Sequence, residues 1–145
     1  MPPVDEKGEM MIHIIIADDH QLLRNYLKRI LERREDICIV AEAADGSEVI
    51  RCVQESPADL LLLDIEMPGM NGIEVLRYLQ QQEITIKALV LSGYSDRELI
   101  QGALDLGAQG YLIKDEAHTH LFEAIDTVYE SKNVWLSDRA ASALI

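Results

Sequence analysis

The chain has 145 residues, of which 48% are apolar and 27% are charged, and its formal net charge is −13. These values are typical of one globular domain with a hydrophobic core. The negative charge argues against nucleic-acid binding by this chain itself, because such binding needs positive side chains that neutralise phosphates. No apolar run approaches the roughly 18 residues of a membrane span. Residues 1–10 carry acidic side chains instead of the apolar core of a signal peptide. We therefore expect a cytoplasmic protein without membrane contact, and a flexible tail at residues 1–10.

Apolar runs that predict strands alternate with segments that have apolar residues at helical spacing. The predicted strands are residues 12–17, 37–41, 59–64, 86–92 and 110–113. The first predicted helix covers residues 21–34, and the third covers residues 71–82. The second begins at Asp45 and ends before Pro57, and the fourth begins at residues 95–98 and ends before Gly107. The fifth has its apolar face between residues 121 and 128. Residues 134–145 predict a turn and the beginning of a further helix.

This strict alternation predicts an α/β fold, in which a parallel sheet carries helices on both faces. Five strands favour a flavodoxin-like (βα)5 three-layer sandwich with strand order 2-1-3-4-5, whereas a closed barrel needs eight units. We expect residues 11–132 to form this domain. Residues 133–145 are expected to be a linker, or the start of a helix that leads to an output domain outside this chain.

Polar side chains follow four of the predicted strands where each strand ends. Four consecutive leucines run into Asp64, the first strand ends in Asp18 and Asp19, the fourth ends in Ser92, and Lys114 follows the fifth. The carboxyl ends of parallel strands meet at one edge of the sheet, so these side chains are predicted to converge there. Three carboxylates in one place repel each other unless they share a cation, and hard oxygen ligands suit Mg²⁺.

Each of these residues alone has a structural interpretation. An aspartate at a strand end can cap the following helix, a serine can bond to its own loop, and a lysine after a strand is usually solvated. The functional interpretation rests on the joint pattern, in which each of four strands ends in an aspartate, a serine or a lysine.

Four separated blocks of the sequence resemble the receiver domains of two-component response regulators. The blocks are residues 14–20 (IIIADDH), 62–72 (LLDIEMPGMNG), 90–93 (VLSG) and 107–114 (GAQGYLIK). The resemblance covers about residues 11–131, and its first and last blocks are similar to the subfamily whose receiver precedes a LuxR-type helix-turn-helix domain. Many receivers have a proline where this chain has Asp115, so a cis peptide bond is less expected here.

The resemblance implies a phosphorylation site. Asp64 is expected to accept a phosphoryl group from a sensor histidine kinase. Asp19, Asp64 and the main-chain carbonyl of Glu66 are expected to hold Mg²⁺, with Asp18 reaching the ion through water. Lys114 is expected to pair with a phosphoryl oxygen as a point charge.

The resemblance also implies a conformational output. Ser92 is expected to move and donate to the phosphoryl group, and Tyr111 to turn inward behind it, which changes the surface of the fourth helix, fifth strand and fifth helix. The alternative for Tyr111 is a static, half-buried aromatic residue. A homodimer is expected on phosphorylation, through the first and fifth helices or through the switching surface, and DNA is expected to be contacted only through an output domain.

Two other functions compete with this interpretation. One is a Mg²⁺-dependent phosphatase of the haloacid-dehalogenase type, but that family needs Asp-x-Asp near the first strand, whereas here Asp64-Ile65-Glu66 lies on the third. The other is a receiver-like module that binds partners without phosphorylation. We expect a phosphoacceptor that gains and loses its own phosphoryl group rather than a turnover enzyme.

The histidines and cysteines receive structural interpretations. His20 has two interpretations: it is a residue at the start of the first helix, or it contributes to the metal site. The first interpretation is favoured. His118 and His120 lack the i, i+4 spacing of zinc ligands on a helix and are predicted to be solvated. Cys38 and Cys52 are predicted to be buried free thiols.

Overall fold

The computed structural model describes residues 10–130 and 133–145. Its strands are β1 (Ile12–Ala17), β2 (Ile37–Ala43), β3 (Leu60–Leu63), β4 (Lys87–Ser92), β5 (Gly110–Ile113) and β6 (Trp135–Leu136). Its α-helices are α1 (Gln21–Leu31), α2 (Gly46–Glu55), α3 (Gly72–Gln81), α4 (Arg97–Asp105), α5 (Ala117–Glu130) and α6 (Asp138–Ala143), and a 3₁₀ turn covers Lys114–Glu116. The predicted tail lies, except for Met10, outside the described residues.

The sheet is parallel and has the strand order β2-β1-β3-β4-β5-β6. The predicted order of the first five strands is confirmed, but the prediction of a five-stranded sheet is wrong, because β6 adds a sixth strand beside β5. This strand has only two residues, too few to show a periodic pattern. Its pairing also depends on β5, which lies more than twenty positions earlier in the chain.

Side chains of the central strands alternate between two hydrophobic cores, as the pleat of a strand requires. On β3, Leu61 and Leu63 lie in the core beneath α2, α3, α4 and α6. Leu60 and Leu62 lie in the other core, beneath α1 and α5. Because both faces of the sheet are covered, all four leucines are at most 1% exposed, which explains the unbroken apolar run in the sequence.

The helix boundaries follow local hydrogen bonds. Asn71 and Glu74 form a capping box at the start of α3, in which each side chain binds the main-chain amide of the other residue. At α2 the Asp45 side chain accepts from the amide of Glu48. Gly107 follows α4 with φ of +97°, the left-handed conformation that favours glycine after a helix.

Within the described residues no helix has both the length and the apolar character needed to cross a membrane. There is also no cis peptide bond in this part of the chain, which agrees with the expectation for Asp115.

Candidate phosphorylation and metal site

The predicted site residues meet at the carboxyl edge of the sheet, between β1 and β3. The strand ladders continue into the site, because the amide of Asp64 donates to the carbonyl of Ala17 (2.9 Å) and the amide of Asp18 donates to that of Ala43 (3.0 Å). Asp18 and Asp64 are therefore held beside each other by main-chain bonds. This edge is where open α/β sheets place ligands, at the point where the connections from neighbouring strands diverge.

Asp18 and Asp64 are buried, with 2% and 3% of their surface exposed. The Lys114 ammonium lies 3.3 Å from Asp18 Oδ2 and 3.5 Å from Asp64 Oδ1. The Oδ2 atoms of both aspartates lack a hydrogen-bond partner among the described residues, so the approach of Lys114 to Asp18 is an ion pair without hydrogen-bond geometry. Burial is the main reason, and the charge of Asp18 the second, why the pKa of Asp64 rises to about 6, although Lys114 acts in the opposite direction.

This arrangement fits a divalent cation. Ligand atoms of Asp18, Asp19, His20 and Asp64 lie within 4.8 Å of one another. Buried carboxylate oxygens without hydrogen-bond partners are costly, and a cation that binds them removes that cost. Carboxylate oxygens are the ligands that Mg²⁺ prefers, and Mg²⁺ keeps open positions for water or phosphate.

Glu66 is also held at the site, by its main chain. The amide of Glu66 donates to Asp64 Oδ1 (3.2 Å), while the Glu66 side chain is exposed. Its carboxylate is a hydrogen-bond partner of the Tyr94 hydroxyl and raises the pKa of that exposed tyrosine. The Glu66 main-chain carbonyl as a metal ligand stays a prediction.

Ser92 and Tyr111 are connected through Tyr94. Ser92 Oγ accepts from the amide of Tyr94 (3.1 Å), and the Tyr111 hydroxyl donates to the carbonyl of Tyr94 (2.8 Å). Ser92 is 1% exposed and Tyr111 is fully buried, so the inward position predicted for Tyr111 is already the one it has here. The sequence reasoning did not single out Tyr94, although it lies only two residues after Ser92.

A further residue that the sequence reasoning missed is Arg24, which is buried. Its guanidinium donates to the main-chain carbonyl of Asp18 and to Glu42 Oε1 on β2 (3.2 Å). Glu42 also pairs with Lys28 (3.0 Å). The signal in the sequence is the position of Arg24 three residues before Leu27, on the stripe that faces the core.

A cleft of about 770 Å³ opens next to the carboxylates. Its lining includes Asp19, His20, Glu66, Met67 and Tyr94. The carboxyl edge of the sheet is thus open to solvent beside Asp19 and Glu66.

The other histidines and the cysteines lie elsewhere. His118 is exposed, and the His120 side chain is 38% exposed, with its Nδ1 3.3 Å from Glu123 Oε2. Both thiols are free, as predicted; Cys52 is buried and Cys38 is half-buried.

Comparisons with known proteins agree with this geometry. A family model described as "Response regulator receiver domain" matches residues 14–126. The transcriptional regulatory protein DegU of Brevibacillus brevis is 39% identical over 124 residues, which are 86% of this chain and 52% of DegU. The chain spans 48% to 61% of the lengths of the first three curated relatives that it matches.

Solved structures also have the same fold. A LuxR-family two-component response regulator from Aurantimonas sp. SI85-9A1 superposes with a TM-score of 0.87 at 29% identity, over 92% of this chain and 95% of that one. The isolated receiver domain of RcsB from Salmonella enterica serovar Typhimurium, in the presence of the phosphomimetic BeF₃⁻, gives 0.85 at 25% identity, over 93% and 99%.

Proposed function

The chain belongs to the response regulator receiver domain family, and from this premise we propose that it is a phosphoacceptor in which Asp64 takes a phosphoryl group from a sensor histidine kinase. The observation that supports this most directly is the pair of buried carboxylates, Asp18 and Asp64, whose Oδ2 atoms have no hydrogen-bond partner among the described residues. Lys114 is the cation beside them. The family consists of response regulators rather than turnover enzymes, which disfavours the phosphatase alternative.

The proposed transfer is a displacement at phosphorus. One carboxylate oxygen of Asp64 forms a bond to the phosphorus of the donor phosphohistidine while the bond between phosphorus and the imidazole nitrogen breaks. The electron pair of the broken bond stays on the imidazole, which takes up a proton as it leaves. The products are an acyl phosphate on Asp64 and a free histidine on the kinase.

The surrounding residues have separate roles in this proposal. Asp19, Asp64 and the Glu66 main-chain carbonyl would hold Mg²⁺, and Asp18 would reach it through water. When bound, the ion would offset the charge of the phosphoryl oxygens. Lys114 already lies between Asp18 and Asp64, so its ammonium can pair with a phosphoryl oxygen after only a small movement.

The proposed output begins at Ser92. Its hydroxyl now accepts from the amide of Tyr94, and it would turn to donate to a phosphoryl oxygen. That change removes a contact of the loop that leads into α4, the same loop that the buried Tyr111 holds through the hydrogen bond from its hydroxyl to the Tyr94 carbonyl. A local change of charge thus shifts the population of a two-state loop.

The output of the whole protein is proposed from the relatives. DegU is named a transcriptional regulatory protein, so we propose that this chain controls a DNA-binding output domain and acts in the cytoplasm. We also propose that phosphorylation favours a homodimer. The edge of β5, which belongs to one of the two predicted dimer surfaces, is occupied by β6 of the same chain, which favours the surface formed by α1 and α5.

The deciding experiment is the intact mass of the protein after incubation with acetyl phosphate and Mg²⁺. We expect a gain of one phosphoryl group, which is absent when Mg²⁺ is omitted and absent in Asp64→Asn. If the parent gains no phosphoryl group and also does not bind beryllofluoride, a binding module that acts without phosphorylation is the better explanation. A gain that persists in Asp64→Asn would place the acceptor at another residue.

A further inference from the structure

His20 lies against the proposed metal site. Its main-chain amide donates to Asp18 Oδ1 (2.8 Å). Its ring Nδ1 lies 3.3 Å from the same oxygen and 3.2 Å from Asp19 Oδ1. The imidazole is therefore in contact with both carboxylates that follow β1, and at 68% exposure it is accessible to an incoming ion.

These distances match those between neighbouring ligands of one ion. In an octahedral site with bonds of about 2.0–2.1 Å, adjacent ligand atoms are about 3 Å apart. The ring nitrogen of His20 and a carboxylate oxygen of Asp19 already have nearly this separation. Ligand atoms of His20, Asp18, Asp19 and Asp64 all lie within 4.8 Å of one another, so one ion can bind His20, Asp19 and Asp64 directly while Asp18 reaches it through water.

A second observation indicates that the group is a site for a ligand and not only a cluster of acids. Asp18 and Asp64 are more than nine-tenths buried, and one oxygen of each has no hydrogen-bond partner within the described residues. Both carboxylates belong to the ligand group that includes His20. A buried acceptor without a hydrogen bond is unfavourable, and a cation bound by these oxygens removes that cost.

We propose that His20 is a nitrogen ligand of this site and that it gives the site a preference for divalent transition-metal ions high in the Irving–Williams order, such as Co²⁺ and Cu²⁺, beyond what the carboxylates alone provide. Imidazole nitrogen suits these ions, whereas Mg²⁺ takes oxygen ligands. The proposal concerns the ion at the phosphorylation site and rests on the proposed function only in using the same carboxylates. Mg²⁺ binding depends on the carboxylates and not on His20.

The experiment compares metal affinities by isothermal titration calorimetry. The titrants are MgCl₂ and CoCl₂, and the proteins are the parent, His20→Ala and, as a matched control on α5, the exposed-histidine variant His118→Ala. We expect His20→Ala to weaken Co²⁺ binding about tenfold or more, the scale on which residues that support a metal site act. Mg²⁺ affinity should change less than about twofold, and His118→Ala should change neither affinity.

A spectroscopic measurement separates a ligand from a neighbour. Electron spin echo modulation of the Cu²⁺-loaded protein should show a coupled imidazole nitrogen in the parent and in His118→Ala, and none in His20→Ala. The proposal is wrong if His20→Ala weakens Mg²⁺ and Co²⁺ equally, because that result assigns His20 to positioning the carboxylates by hydrogen bonds. It is also wrong if neither affinity changes or if the nitrogen signal survives the substitution.

The two proposals can fail separately. Asp19→Asn and Asp64→Asn should weaken both ions, which tests the carboxylate site itself. The proposals separate if these variants behave as expected and the parent is phosphorylated with Mg²⁺, while His20→Ala leaves Co²⁺ binding unchanged. That result would support the phosphoacceptor function and contradict the role of His20 as a metal ligand.

Discussion

Burial of the ionised Asp64 carboxylate destabilises the folded protein when no metal is bound. Its pKa is raised to about 6, mainly by burial and then by the charge of Asp18, whereas an aspartate in an unfolded chain titrates near 3.9. The folded state therefore binds this proton more tightly than the unfolded state does. In the absence of metal, stability gained through Asp64 is complete below pH about 4 and is lost as the pH rises through about 6.

Asp64→Asn should stabilise the metal-free protein at neutral pH. In EDTA at about pH 7.5 we expect the free energy of unfolding to rise by about 1–2 kcal/mol, a value reduced from the full shift because solvent and Lys114 screen the charge. The advantage should shrink as the pH is lowered toward about 4. Urea unfolding at several pH values measures it, and Mg²⁺ should stabilise the parent more than the variant. A variant that is less stable than the parent in EDTA at neutral pH would contradict the assigned cost of burial.

Gly72 allows the main chain to pass closely behind Asp64. A Cβ atom at this position would lie 2.5 Å from the Asp64 carbonyl oxygen and 2.7 Å from the Ile65 Cα. Main-chain atoms cannot yield as a flexible side chain can, so Gly72→Ala must displace the segment that carries the phosphoacceptor. We expect a loss of about 1–3 kcal/mol in stability and slower phosphorylation by acetyl phosphate.

Gly102 on α4 is the matched control, because a Cβ atom there meets nothing within 4 Å. Gly102→Ala should instead stabilise the protein by about 0.5–1 kcal/mol, since alanine loses less conformational freedom in a helix. Thermal unfolding of both variants measures the difference, and equal effects would show that the close approach at Gly72 is unimportant.

At the scale of elements, the C-terminal strand and helix are part of the domain's packing. The amide of Ser137 donates to the Tyr111 carbonyl (3.0 Å), and Ser137 Oγ accepts from the amide of Ile113 (3.2 Å). Ser137 is 1% exposed, and Ala140 on α6 is fully buried. These contacts attach β6 and α6 to the strand that carries Tyr111 and leads to Lys114.

Ser137→Ala should loosen this attachment. It leaves the buried amide of Ile113 without its side-chain acceptor, which costs about 1–3 kcal/mol, whereas Ser142→Ala on the exposed face of α6 should cost less than about 0.5 kcal/mol. Trp135 is the only tryptophan of the chain and lies on β6, so its fluorescence reports the detachment of this segment during urea titration. The expectation fails if the two serine variants unfold at the same urea concentration.

The elements differ in how far the sequence predicts them. Continuous apolar runs such as Leu60–Leu63 predict buried strands because both faces of the sheet are covered. Asn71 predicts the start of α3 because its cap is local. In contrast, β6 exists only through pairing with β5, and the role of Arg24 depends on where the chain folds the Asp18 carbonyl and Glu42. Contacts between distant segments of this kind leave no periodic pattern in the sequence.

The residues of the site also differ in how far the sequence predicts their positions. The positions of Asp18, Asp64 and Lys114 follow from strand ends and the order of strands, and the structure brings them within ion-pair distance. Tyr94 has no such signal, because it lies in the loop after β4 and its connection to Ser92 and Tyr111 runs through its main chain. Hydrogen bonds to main-chain groups depend on loop conformation, which residue type alone does not determine.

At the scale of the whole molecule, α1 carries an exposed apolar patch, which we take as the contact of the proposed dimer. Leu22 and Tyr26 are 83% and 45% exposed, and at i, i+4 spacing they form one patch on the helix. The alternative surface at β5 is partly covered by β6 and α6 of the same chain. We therefore expect the proposed dimer to use α1 together with α5.

Leu22→Glu should weaken this dimer without unfolding the monomer, because Leu22 is mostly exposed and its replacement costs little in the monomer. The matched control is Val134→Glu, which places the same charge on another exposed apolar residue, 51% exposed, at the C-terminal segment. Sedimentation velocity with Mg²⁺ and beryllofluoride should show dimers of the parent and of Val134→Glu, and mainly monomers of Leu22→Glu. Because a glutamate in the interface must be desolvated opposite its symmetry mate, the dimer constant should fall at least about tenfold. Dimers of Leu22→Glu with unchanged affinity would instead assign the contact to a surface other than α1.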